Sequence, residues 1–128
     1  MTTFTFTIPQ LTPSLNKLVK GRTHWTDYQH LQKDWFYLVK LATQEFDIPR
    51  AAQFERRKVE AWSHRVSLLD YENLVGGTKL LWDAMVAAGY LFDDGPKFLE
   101  TGLIEQVVER KRRDEKTVVR LTIFEEES

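Results

Sequence analysis

Asp70, Glu72, Asp93 and Asp94 are the side chains of this chain best suited to metal chemistry. Asp70 and Glu72 stand at i and i+2 at the end of an alternating stretch, so the spacing predicts both carboxylates on one strand face, sharing one ion. Asn73 follows directly, and Asp93 with Asp94 arrive after a predicted helix that returns the chain toward its starting end. Three carboxylates can then converge. Hard oxygen donors favour magnesium or manganese over zinc, and His24, His30 and His64 lack ligand spacing with them. Such a site can polarise a phosphodiester, activate a water and stabilise the departing oxygen. Lys79, near the start of that helix, adds a cation for charge developing in the transition state. A plainer reading stands beside this one. Asp-Asp-Gly-Pro is a good turn, and Asp70 with Glu72 can be ordinary solvated charges at a strand end.

The elements that must position these groups follow from periodicity. Thr3 to Ile8 alternates threonine with Phe4, Phe6 and Ile8, a strand with one buried face. Pro9 and Pro13 end regular pairing, and Gln10 to Trp25 reads as an irregular, partly basic connection. Thr26 and Gln29 have capping-box spacing, and apolar residues from Tyr28 to Phe46 recur at helical steps, giving a helix over Asp27 to Phe46. A second extended segment runs from Arg57 to Leu69, with a phase shift near Trp62 that predicts a bulge. Thr78 is placed to cap a helix whose apolar face includes Leu81, Met85 and Ala88 and which ends at Gly89. Leu103 to Glu109 and Thr117 to Phe124 read as strands of a hairpin closed by the charged turn RKRRDEK. The expected fold is α+β: a small mixed sheet carrying two main helices, in the order β-α-β-α-β-β. Residues 1–124 form one domain, and the acidic residues 125–128 are expected to fray.

Bulk properties narrow the class. The 128 residues suit one domain, and 42% hydrophobic with 12% aromatic content excludes a disordered chain. The absence of cysteine excludes disulfides, thiolate zinc sites and cysteine nucleophiles. No apolar run reaches the roughly 20 residues a membrane helix needs, and the N-terminus does not read as a signal peptide, so a cytoplasmic location is expected. The formal net charge is −1, which offers no global attraction to a polyanion. Its distribution is uneven: Lys17, Lys20 and Arg22, then Arg56 to Lys58, then Arg110 to Arg113 are basic runs, and acidic residues gather near Asp93 and at 125–127. Basic stripes beside an acidic pocket suit DNA binding around a metal, and plain solvated faces suit the same charges. Arg22 and His24, with Lys17 and Lys20, are candidate phosphate contacts.

Several segments together resemble the RusA family of Holliday junction resolvases, in the family's order and across most of the chain. PSLN at 13–16 is similar to the family's Pro-Ser-x-Asn element, and GRTHWT at 21–26 resembles the stretch before its first helix. DYEN at 70–73 resembles its Asp-x-Asp-Asn core. KLLWDAM at 79–85 resembles the lysine-bearing helix, and AGYLFDD at 88–94 the segment ending in paired aspartates.

The resemblance implies that Asp70, Glu72 and Asp94 bind magnesium and that Lys79 is the catalytic cation, with Asn16, Asn73 and Asp93 in support. It also implies a homodimer that nicks two symmetry-related strands of a four-way DNA junction, a two-fold protein on a two-fold substrate. Two departures stand out. Glu72 replaces the family's second aspartate, and LVGGT lengthens the spacing between Asn73 and Lys79, with Gly76 and Gly77 expected to form a turn. These departures motivate two rival expectations: a non-catalytic branched-DNA-binding protein of the same fold, and a metal-dependent nuclease for flaps, single strands or RNA.

Overall fold

The alternation of threonine with large apolar residues produces strand β1 (Thr2–Ile8), in which Phe6 and Ile8 are buried while Thr3, Thr5 and Thr7 face solvent. The computed structural model describes residues 1–20 and 25–125. After β1 come α1 (Leu15–Lys20), α2 (Trp25–Thr43), β2 (Arg57–Arg65), α3 (Tyr71–Gly77), α4 (Lys79–Ala87), β3 (Leu99–Val108), a 3-10 turn (Arg112–Asp114) and β4 (Lys116–Ile123). The α+β class and the four strand positions agree with the sequence reading. The expected order lacked α1 and α3, two short helices with little apolar periodicity of their own.

The four strands form one mixed sheet in the order β1-β4-β2-β3. β4 pairs antiparallel with both β1 and β2, whereas β2 and β3 are parallel. A parallel pair requires a crossover, and α3 with α4 supply it. The expected β3–β4 hairpin is therefore corrected, because β2 lies between these strands. β3 suits an edge: Leu103 is 50% and Val108 66% exposed, while Val119 and Leu121 of β4 are fully buried. The charged connection steps over the end of β2, where the Glu109 N–H donates to the Arg65 carbonyl at 2.8 Å and the Val66 N–H to Glu115 at 2.9 Å.

The bulge also moves. Arg57, Val59, Ala61, Ser63 and Arg65 keep one phase along β2, with no shift at Trp62. Val59 faces Thr101 but Ala61 faces Ile104, so the extra residue lies in β3. Buried Glu60 accepts the Leu103 N–H at 3.1 Å, and a side chain at Gly102 would meet Glu60 at 2.7 Å, which accounts for glycine there. Its other oxygen takes the Arg120 guanidinium at 2.6 Å.

Helices α2 and α4 pack on each other, and Trp35, Val39, Leu80, Leu81, Trp82 and Met85 meet Val59, Ala61, Val119 and Leu121 of the sheet in one core. Trp62 is half-buried on the other sheet face, with the Arg120 guanidinium 5.0 Å from its ring centroid. Helix α2 starts at Trp25, so Thr26 lies inside it rather than at its cap. Among the described residues, no helix is long and apolar enough to cross a membrane. Glu125 pairs with Thr2 and the N-terminal ammonium, so the expected tail is anchored at its first residue. Residues 126–128 lie outside the described ones.

Candidate functional site

Asp70 is a helix cap. β2 ends at Arg65, and Asp70 has an extended backbone from which its Oδ1 accepts the Asn73 N–H at 2.9 Å. The expectation that Asp70 and Glu72 project from one strand face is thus corrected: Glu72 lies exposed in the first turn of α3. The local chemistry explains this, because aspartate followed three residues later by a free amide is a strong helix start. Asn73 Nδ2 donates to Asp70 Oδ2 at 3.0 Å, so both carboxylate oxygens are engaged.

Asn73 also receives the N-terminal segment: its Oδ1 accepts the Asn16 N–H at 2.8 Å. That segment crosses α3 where a side chain has no room. A Cβ on Gly77 would stand 1.8 Å from the Pro13 carbonyl oxygen, and one on Gly76 would meet Leu15 at 2.7 Å. The glycines of LVGGT are therefore helical residues that admit a crossing backbone, not the expected turn. Upstream, buried Arg65 donates to the Thr12 carbonyl at 2.6 Å, and Thr117 donates to the Gln10 carbonyl at 2.7 Å. Residues 10–16 form a strap pinned to the sheet and to α3, rather than the irregular connection expected for the whole of Gln10 to Trp25. The strap ends in α1, which carries exposed Lys17.

A second corner forms where α4 meets the loop before β3. Lys79 Nζ donates to Asp94 Oδ2 at 3.0 Å and lies 3.7 Å from Asp83, one turn along α4. The Tyr28 hydroxyl, from α2, donates to Asp83 at 3.2 Å. The Lys79 hydrogen bond holds the Asp94 carboxyl below its ordinary range, and the same bond raises the Lys79 ammonium. Burial, followed by the neighbouring Asp94 carboxylate, pushes Asp83 up. Burial and the Asp83 charge raise Tyr28 in turn. Asp93 forms the expected turn: its Oδ1 accepts the Asp94 N–H at 2.8 Å, and Gly95 accepts the Phe98 and Leu99 N–H groups.

The site residues expected from sequence thus separate into two groups, Asp70 with Asn73 and Asn16, and Lys79 with Asp94 and Asp93. No hydrogen bond or ion pair joins the groups among the described residues. Nor do three described histidine, aspartate or glutamate residues gather closely enough to hold one metal ion, so Asp70, Glu72 and Asp94 do not converge as a single ligand cluster. The donors are hard oxygens of the kind magnesium takes, but each corner engages its carboxylate internally. Arg22 and His24 lie outside the described residues, as does the Lys20 side chain. Among the remaining histidines, His30 is exposed on α2 and His64 contacts Glu109 at 3.3 Å, away from both corners. Asp83, Tyr28 and Arg65 had no site role in the sequence reading, where Tyr28 belongs to the apolar stripe of the first long helix and Asp83 to the KLLWDAM segment. Only Asp83 carried a local signal, its i+4 spacing from Lys79.

No protein-family model and no curated protein matches this chain.

Proposed function

We propose that this protein is a magnesium-dependent endodeoxyribonuclease that cuts branched DNA, the four-way junction above all, and works as a homodimer. One observation carries the reading: motif segments far apart in sequence are bonded in pairs, PSLN to DYEN through Asn16 and Asn73 at 2.8 Å, and the α4 lysine to the paired aspartates through Lys79 and Asp94 at 3.0 Å. Unrelated turns and surface charges have no reason to meet in this way.

In this reading magnesium would be held by Asp70 and Glu72 from the α3 side with Asp94 from the α4 side, a set that this conformation leaves apart, and the ion would supply polarisation of the phosphodiester. Lys79 stays protonated beside Asp94 and offers its ammonium to charge that builds on the phosphoryl or departing oxygen. Asp83, itself held by Tyr28, keeps that ammonium on the α4 side of the corner. The strap brings Asn16 and Lys17 to the Asp70 side, where the lysine meets backbone phosphate; Lys20, Arg22 and His24 keep the phosphate role expected from sequence.

A second reading, a DNA-binding protein without catalysis, is favoured by the separation of the two carboxylate groups. Asp70→Asn distinguishes them cleanly, since asparagine caps a helix as well as aspartate does while removing the charge. The expected result is unchanged stability and junction binding with loss of symmetric, magnesium-dependent nicks. Equal nicking by the variant sinks the nuclease assignment, and tight binding with no nicks by the wild type establishes the second reading.

A further inference from the structure

Phe54 is hard to explain by folding alone. Its φ of +63° is the left-handed conformation, which a bulky side chain adopts at an energetic cost. The turn that imposes it is closed by the Glu55 N–H on the Ala52 carbonyl at 3.0 Å and by the Ala52 N–H on the Glu55 carboxylate at 2.9 Å. Burial does not offset the cost, because Phe54 remains 64% exposed. Its ring meets Phe92 edge-on at 5.2 Å between centroids and lies 6.0 Å from Phe98, while Phe92 and Phe98 stand 4.9 Å apart. Lys97 Nζ sits 5.7 Å from the Phe98 centroid, and no acidic side chain pairs with it among the described residues. Phe92 directly precedes Asp93 and Asp94.

We infer that Phe54, Phe92 and Phe98 form a stacking platform for one unpaired base of a DNA strand, with Lys97 receiving the adjoining phosphate. The ligand class rests on the branched-DNA reading above, and the platform adds a contact outside both carboxylate corners. Three observations favour this occupant. An exposed ring braced by two others offers a π face on which any base can stack. An ammonium without an acidic partner suits a polyanion better than an apolar peptide. The chain runs from Phe92 to Asp94 in two residues, so a strand stacked here lies beside the group that holds Lys79. Branched DNA supplies the unpaired or unstacked bases that intact duplex withholds.

Phe54→Gly and Phe54→Asn both accept the left-handed backbone, and Phe54→Tyr keeps the ring. Their affinity for a labelled four-way junction and for a single-stranded oligonucleotide is measured by fluorescence anisotropy in chelator, beside the Tm and the sedimentation of each protein. Glycine and asparagine are expected to weaken binding about ten-fold, as loss of one base-stacking contact does, while tyrosine binds like the wild type. The Tm of the glycine variant is expected to equal or exceed that of the wild type, since strain is relieved. Undiminished binding by the glycine variant overturns the platform, as does equal weakening in all three variants. A shift in sedimentation overturns it in favour of an interface between copies. Wild-type binding without nicking leaves the platform standing and sinks hydrolysis. Nicking with unchanged binding by Phe54→Gly does the reverse, and a wild type that binds no DNA sinks both.

Discussion

Asp70 caps the start of α3, and Asp94 meets the first residue of α4 from the loop before β3, yet the molecule holds them by different means. Asp70 is fixed by uncharged partners: its two oxygens accept from Asn73, Asn73 accepts from Asn16, and a backbone strap pinned by Arg65 and Thr117 keeps Asn16 there. Asp94 is fixed by charge, through a lysine that a second carboxylate also attracts. Shape therefore governs the first corner and electrostatics the second. The first should fail when packing is disturbed, whereas the second should weaken as acid removes the Asp94 charge.

The strongest way to break this contrast is Gly77→Ala. The new methyl group overlaps the Pro13 carbonyl, so the strap must lift or α3 must move. A loss of about 2–3 kcal/mol is expected by urea denaturation, in the range for overpacked sites, together with loss of the Asn16–Asn73 contact by amide exchange. Next in size is Asp70→Ala, which removes the cap and should cost about 1 kcal/mol, while Asp70→Asn leaves stability near that of the wild type. A matching loss in the asparagine variant would mean that charge, not capping, matters at the first corner.

The smallest effect concerns the second corner. Because Lys79 holds the Asp94 carboxyl below its ordinary value, ionised Asp94 stabilises the fold above the unfolded aspartate pKa of about 3.9, and that contribution is lost as pH falls through the lowered folded value. Lys79→Met removes it, so in metal-free buffer the gap in Tm between wild type and variant should be present at pH 6 and close on acidification. The Lys79 side chain is 64% exposed, so the gap is modest. A gap that persists unchanged into acid would assign the effect to packing of the lysine stem.

Much of the frame was legible in the sequence because it depends on local periodicity. The alternation in β1 and the apolar stripe of α2 report burial that each segment shows by itself, and Gly89, at φ +85°, follows the end of α4 as its residue type predicts. The corrections fall where partners are distant. RKRRDEK resembles a hairpin turn locally, and only the preference of β2 for the sheet centre separates the strands it joins. Asp70 and Glu72 follow a strand-like stretch, but the cap contact with Asn73 outweighs the alternation and starts α3 early. Gly76 and Gly77 signal a turn by type, and their use as a crossing point depends on Pro13, more than sixty positions earlier. The Lys79–Asp83 pairing was available from helical spacing, whereas Tyr28 reaches it from another helix. The metal ligand set came from resemblance, and the carboxylates it names lie in two corners rather than one.

The sheet order has a further consequence for how the chain acquires its structure. β1 has no neighbour other than β4, so residues 2–8 stay unpaired until residues 116–123 have been made and can slide in between β1 and β2. Contacts of such long sequence separation close late and slowly. During synthesis strand β1 therefore waits, unpaired, for residues 116–123, and the Thr117 anchor of the strap forms only when β4 arrives.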